Sequence, residues 1–132
     1  HRPVMDMALT PWMWTKVSNT IGHLLPDPRC LTAVKLKNDV RAFVFEQGES
    51  GVMAIWTADN LVELARKAAP VLELQLPPDS LFVDLMGNRR AVSGWRGGRI
   101  AIPITPAPLF VKSRDAYALS RSVMHAKRVE HE

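Results

Sequence analysis

Between residues 70 and 112 the chain is punctuated so closely that only one kind of sheet fits. Leu72, Leu74 and Leu76 alternate with Glu73 and Gln75, the two-residue period of a strand with one buried face. Turn signals follow at Pro77-Pro78-Asp79, Gly87-Asn88 and Gly97-Gly98. The segments between them, "SLFVDLM", "RRAVSGW" and "RIAIPI", read as strands, and so does "PLFVK" at the end of the stretch. A parallel pair needs a crossover of a dozen or more residues, usually a helix. None fits here, so the strands must be antiparallel.

Upstream the same period begins near residue 31. In "LTAVKLK", Val34 and Leu36 face one way while Lys35 and Lys37 face the other. "DVRAFVFEQ" and "VMAIWT" flank the turn "GESG" and are apolar on both faces, as central strands are. "TADNLVELARKAA" reads as a short helical excursion capped at Thr57 or Asp59. Both ends of the chain are helical in pattern. Thr10 is placed to cap a helix with Pro11 at its first position, and Met13, Val17, Ile21 and Leu24 form its apolar stripe. "PDP" at 26–28 stops it. In the tail, Ala116, Leu119 and Val123 make a second, thinner stripe. The expectation is a mainly β protein: an antiparallel β-sandwich of about seven or eight short strands with flanking N- and C-terminal helices. Residues 1–30 carry the first helix, 31–112 the sandwich and 113–132 the last helix.

A chain of 132 residues can bury one core of its own. Hydrophobic residues make up 47% and charged residues 23%, an ordinary globular balance, so no staple is demanded. No apolar run approaches the roughly 20 residues of a membrane span. Net charge is 17 − 13 = +4, yet the positives are scattered, and their longest cluster is the pair Arg89–Arg90. Without a basic run or an Arg-crowded helix, nucleic acid is not an expected partner. The chain opens on "HRPVMDMALT" and reads as a piece of a longer polypeptide or a processed product. No residue specifies a compartment.

Candidate chemistry is sparse. The lone Cys30 has no internal disulfide partner and reads as a part-buried structural thiol. His1, His23, His125 and His131 show no metal-ligand spacing, and no Gly-x-Ser-x-Gly elbow occurs. Neither metal nor cofactor is expected. Asp84 stands alone among strand-formers just ahead of Gly87-Asn88, where a carboxylate can accept backbone N–H groups across a turn. A general base would need a converging acid or His. Asp84 is therefore read as a turn-fixing acid and not a catalytic group.

The tryptophans carry more. Trp12 and Trp14 point to different sides of the first helix, which makes them candidates for an interface with a neighbouring domain. Trp56 alternates with Val52 and Ala54 and reads as core. Trp95 precedes the Arg96-Gly97-Gly98-Arg99 turn. An aromatic beside a Gly-rich turn with Arg on either side can stack on a sugar, so Trp95, Arg96 and Arg99 are the candidate carbohydrate-binding residues. The competing reading lays Trp95 over the sandwich edge.

Taken together, Ile55-Trp56, Leu72/Leu74/Leu76, Val83-Asp84-Leu85-Met86-Gly87-Asn88, Ile102-Pro103-Ile104-Thr105 and Pro108-Leu109-Phe110-Val111 form a pattern. It resembles the C-terminal β-sandwich accessory domain of glycoside hydrolases whose catalytic domain is a (β/α)₈ barrel. The resemblance covers about residues 31–112. The opening helix is similar, more loosely, to the last helix leading out of such a barrel. "ADNLVELARKAA" and the C-terminal helix depart from the pattern. In that family the catalytic glutamates lie on the barrel. The resemblance therefore implies a non-catalytic domain that packs against the preceding catalytic domain of the same polypeptide, with carbohydrate as a further partner. An autonomous carbohydrate-binding module is the alternative. A secreted or periplasmic location of the whole polypeptide accords with either.

Overall fold

The computed structural model describes residues 11–36, 40–57, 71–84 and 87–130. Helix α1 (Pro11–Leu24) is followed by strands β1 (Arg29–Lys35), β2 (Val40–Gln47) and β3 (Ser50–Thr57). Next come β4 (Val71–Leu74), β5 (Leu81–Val83), β6 (Arg89–Ala91), β7 (Ile100–Pro103), β8 (Leu109–Ser113) and helix α2 (Ala116–Glu130). Of the segment 57–69 expected to be helical, Thr57 ends β3 and the rest lies outside the described residues.

All pairings are antiparallel, as the turn spacing requires. β1, β2, β3, β8, β5 and β6 form a six-stranded sheet in that order, and β4 pairs with β7 in a separate two-stranded sheet. β2 and β3 turn on a two-residue loop, Gly48-Glu49, between the paired Gln47 and Ser50. Gly48 takes φ 59°, the left-handed value that lets a tight hairpin follow the strands' own twist. β1 carries a bulge between Cys30 and Thr32, which re-aims the strand at the sheet's edge.

Alternation divides the six-stranded sheet into two apolar faces. Ala42, Val44, Met53, Ile55, Phe82 and Val111 point to one side. There they meet Leu72, Leu74, Ile100 and Ile102 from the small sheet and Leu119, Val123 and Ala126 from α2. Phe43, Phe45, Val52, Ala54, Trp56, Val83 and Phe110 point to the other, where Val17, Ile21 and Leu25 cover them. Phe43 stacks on Trp56 at 5.4 Å between ring centres. The sandwich is present, but its second layer is shared: two short strands fill part of it and α2 fills the rest. The helices are layers of the core, not appendages. On α1 Val17 and Ile21 are buried, as is Leu25 just past its end, while Leu24 is only half-buried. The four-residue step thus continues one position past the stripe expected from the sequence.

α2 sits so low on the sheet that one strand residue must be glycine. A Cβ on Gly51 would lie 2.6 Å from both Cα and Cβ of Ala116. Gly51→Ala is expected to destabilise the fold by roughly 1–3 kcal/mol, the range for overpacking a close-packed site. Urea denaturation measures it. Adding Ala116→Gly should recover only part of the loss, because the Ala116 Cα remains in the way.

Candidate functional site

The carbohydrate candidates fall on one hairpin whose shape the glycines dictate. Gly97 and Gly98 take φ 59° and 79°, the pair of left-handed positions of a type I′ turn. Arg96 and Arg99 exchange backbone hydrogen bonds across it, at 2.7 and 3.1 Å. Trp95 is half-buried against the core beneath the small sheet, and its Nε1–H donates to the Val92 carbonyl at 3.1 Å. Its polar edge is thus committed inside the protein. Arg99 Nη2 lies 2.9 Å from His125 Nε2. A guanidinium can only donate, so Nε2 accepts. Arg99 Nη1 also stands 3.9 Å from Glu73 Oε1, a surface pair worth at most about 1 kcal/mol. Arg99 therefore fastens the hairpin to α2 and β4, while Arg96 is exposed. The three residues share a hairpin, yet Trp95 and Arg99 both have structural partners.

Trp12 and Trp14 lie in the first turn of α1, and their side chains lie outside the described residues. Cys30 is half-buried with its thiol on the Thr32 carbonyl at 3.6 Å, and burial pushes that thiol up from its ordinary range. That is the inert, structural setting read from the sequence. His23 is exposed on α1, and among the described residues no three His, Cys, Asp or Glu gather to hold a metal.

Asp84 closes its turn. Oδ1 accepts the Asn88 backbone N–H at 2.9 Å, and Oδ2 accepts the Asn88 side-chain amide at 3.2 Å. The Asp84 backbone adds a bond from its own N–H to the Asn88 carbonyl at 3.1 Å and receives one from Gly87 N–H at 3.0 Å. Gly87 supplies the φ of 85° that this turn needs.

The acid that the sequence leaves unremarked is Asp79. It sits in the Pro77-Pro78-Asp79-Ser80 turn, which Ser80 closes with N–H and Oγ bonds to the Pro77 carbonyl at 3.1 and 2.7 Å. Its carboxylate reaches the start of α2. Oδ1 accepts Ser113 Oγ–H at 2.6 Å and Oδ2 accepts Arg114 N–H at 2.9 Å. Ser113 Oγ in turn accepts Asp115 N–H, and Asp115 caps α2 by accepting Ala118 N–H at 2.9 Å. The Ser113 hydroxyl, then the backbone N–H of Arg114, hold the Asp79 carboxyl below the usual carboxylate range. Turn composition marks the Pro-Pro-Asp segment, but nothing local marks partners 34 and 35 residues away.

Two open cavities border α2. One, of about 530 Å³, runs between Gln75–Pro78 and Ala118, Arg121 and Met124. The other, of about 460 Å³, lies at the start of the helix, where Tyr117 faces Asp27, Arg29, Glu46 and Gln47. Tyr117 is 55% exposed, unusual for a large aromatic ring. Nothing in the local sequence marks it, because Ala116, Leu119 and Val123 already account for the amphipathic pattern of its helix.

Asp79 gives a pH signature. Its carboxyl is depressed in the fold, so it contributes stability above its unfolded value, near 3.9, and loses it as pH falls through the lower folded value. Urea midpoints of wild type and Asp79→Ala should differ at pH 7 and converge on acidification below about pH 4. Asp84→Ala is expected to cost about 1 kcal/mol in the same assay, from the lost turn bonds.

Comparison with protein-family models, with curated proteins and with solved structures finds no match.

Proposed function

We propose that this chain is a non-catalytic accessory β-sandwich of a glycoside hydrolase, packed against a catalytic barrel in the same polypeptide. The observation that carries the reading is where the recognisable landmarks meet. Ile55 pairs with Leu109 and Val83 with Phe110, so Ile55-Trp56, Val83-Asp84 and Pro108-Leu109-Phe110 gather at one end of the central strands. Thr57 N–H donates to the Thr105 carbonyl at 2.9 Å and draws the Ile104-Thr105 segment to the same end. Motifs far apart in sequence lie together at one end of the sheet, which supports reading them as parts of one domain pattern.

The acids support a structural role as well. Asp84 and Asp79 are each bound within turns, and Glu73 faces solvent beside Arg99. All three are thus engaged in turn hydrogen bonds or a surface ion pair. Under this reading the first turn of α1, with Trp12 and Trp14, leads from the barrel.

The test compares the chain alone with the chain joined to the polypeptide encoded ahead of His1. Expected are no turnover of aryl glycosides or polysaccharides by the chain alone, turnover by the joined protein, and a higher melting temperature of the catalytic domain when the two are joined. An upstream polypeptide with no barrel-sized domain would overturn the proposal.

A further inference from the structure

The cavity at Tyr117 is built differently from any other surface of the molecule described above. Its one aromatic wall is Tyr117, exposed in the first turn of α2. The remaining walls are a carboxylate at Asp27, a guanidinium at Arg29, a carboxylate at Glu46, a carboxamide at Gln47, and Gly48. Among the described residues, no aliphatic side chain lines it.

The walls are held in place by the fold. Arg29 and Glu46 face each other across the β1–β2 ladder and form an ion pair. Glu46 is the inner partner, with a side chain 12% exposed against 70% for Arg29. The Asp27 backbone N–H donates to Gln47 Oε1 at 2.7 Å, which fixes the carboxamide and turns its NH₂ away from that bond. Tyr117 is positioned by the Asp115 cap and by the contact of Ala116 with Gly51, whose ladder partner is Glu46. Ring and polar groups are thus tied to the β1–β2–β3 meander.

The lining selects a ligand class. An apolar ligand would strip water from Asp27, Arg29, Glu46 and Gln47 without replacing their hydrogen bonds. An anion would meet two carboxylates and a single guanidinium. A metal ion would find no third His, Cys, Asp or Glu among the described residues. A neutral polyol suits every wall. Hydroxyl groups donate to Asp27 and Glu46 and accept from Arg29 and the Gln47 NH₂, while a face of C–H groups lies on the tyrosine ring. The volume of about 460 Å³ is within the range of small-ligand sites.

We propose that Tyr117, Asp27, Arg29, Glu46 and Gln47 form a saccharide-binding site, with Tyr117 as the stacking platform. This site is separate from the Trp95 hairpin and does not depend on the accessory-domain reading: it stands whether or not a barrel precedes the chain.

The experiment titrates the whole chain with cellohexaose, xylohexaose, laminarihexaose, maltohexaose and mannohexaose, followed by calorimetry and by backbone amide shifts. At least one sugar should bind and move the amides of residues 27, 46–48 and 117. Tyr117→Ala should weaken that binding by about tenfold or more, the size of a lost aromatic stacking contact, while Tyr117→Phe keeps most of it. Tyr117 is exposed, so melting curves should confirm that both variants fold. Asp27→Ala weakens binding without touching the ring. No binding to any of the five sugars overturns the proposal, as does binding that survives Tyr117→Ala or shifts only the amides of residues 94–99. Tetramethylammonium competing for the same amides would reassign the site to an organic cation.

Discussion

A sheet that is apolar on both faces must be covered twice, and the rest of this protein follows from that constraint. Phe43, Phe45, Trp56 and Phe110 on one side and Val44, Met53, Ile55 and Val111 on the other are all nearly sealed from water. Each such side chain contributes roughly 1.5–3 kcal/mol when removed from solvent, so neither face can be left open. α1 closes the first face. The second is too large for the four-residue strands β4 and β7, and α2 completes it, packing on β1, β2, β3 and β4.

Completing that layer with a helix raises a problem of attachment, since a helix makes no ladder bonds to a sheet. The solution is polar and distributed. Asp79 holds the residues just ahead of α2. Ser122 donates to the Gln75 carbonyl, Ser120 and Thr32 share a hydrogen bond, and Arg99 reaches His125. These bonds join α2 to the Pro-Pro turn, to β1 and to the glycine hairpin in turn. Each is modest, about 1 kcal/mol net, but together they fix the register of the helix against a layer that hydrophobic contact alone would leave free to slide. The close approach of Ala116 to Gly51 shows how tightly that register is set.

What could be read in advance divides along the same line. The strand positions from 31 to 112, their antiparallel sense and the two-faced centre were legible because period and turn chemistry are local. Asp84 was legible for the same reason: its partner, Asn88, is four residues away. The long-range pieces were not. Nothing near Asp79 announces Ser113, and nothing near Gly51 announces Ala116. Trp95 illustrates the middle ground. Its place on an Arg-Gly-Gly-Arg hairpin was clear, whereas the direction of its indole depended on Val92 and on a core assembled from distant strands and a helix. Tyr117 was hidden altogether, because its surroundings come from the α1–β1 connection and the β2–β3 turn.

The strand order has a consequence for how the chain reaches this structure. β8 lies between β3 and β5, yet it is the last strand to be synthesised. The β1–β2–β3 meander can form early from neighbouring hairpins, as can β5–β6. Until Leu109–Ser113 arrives, each presents an open edge to water and to other chains. Joining them means closing a loop of more than fifty residues between Ile55 and Leu109, a slow and entropically costly step. During that interval the short, doubly charged β6, with Arg89 and Arg90 both exposed, is well suited to repel a second copy at the edge of the sheet that it forms.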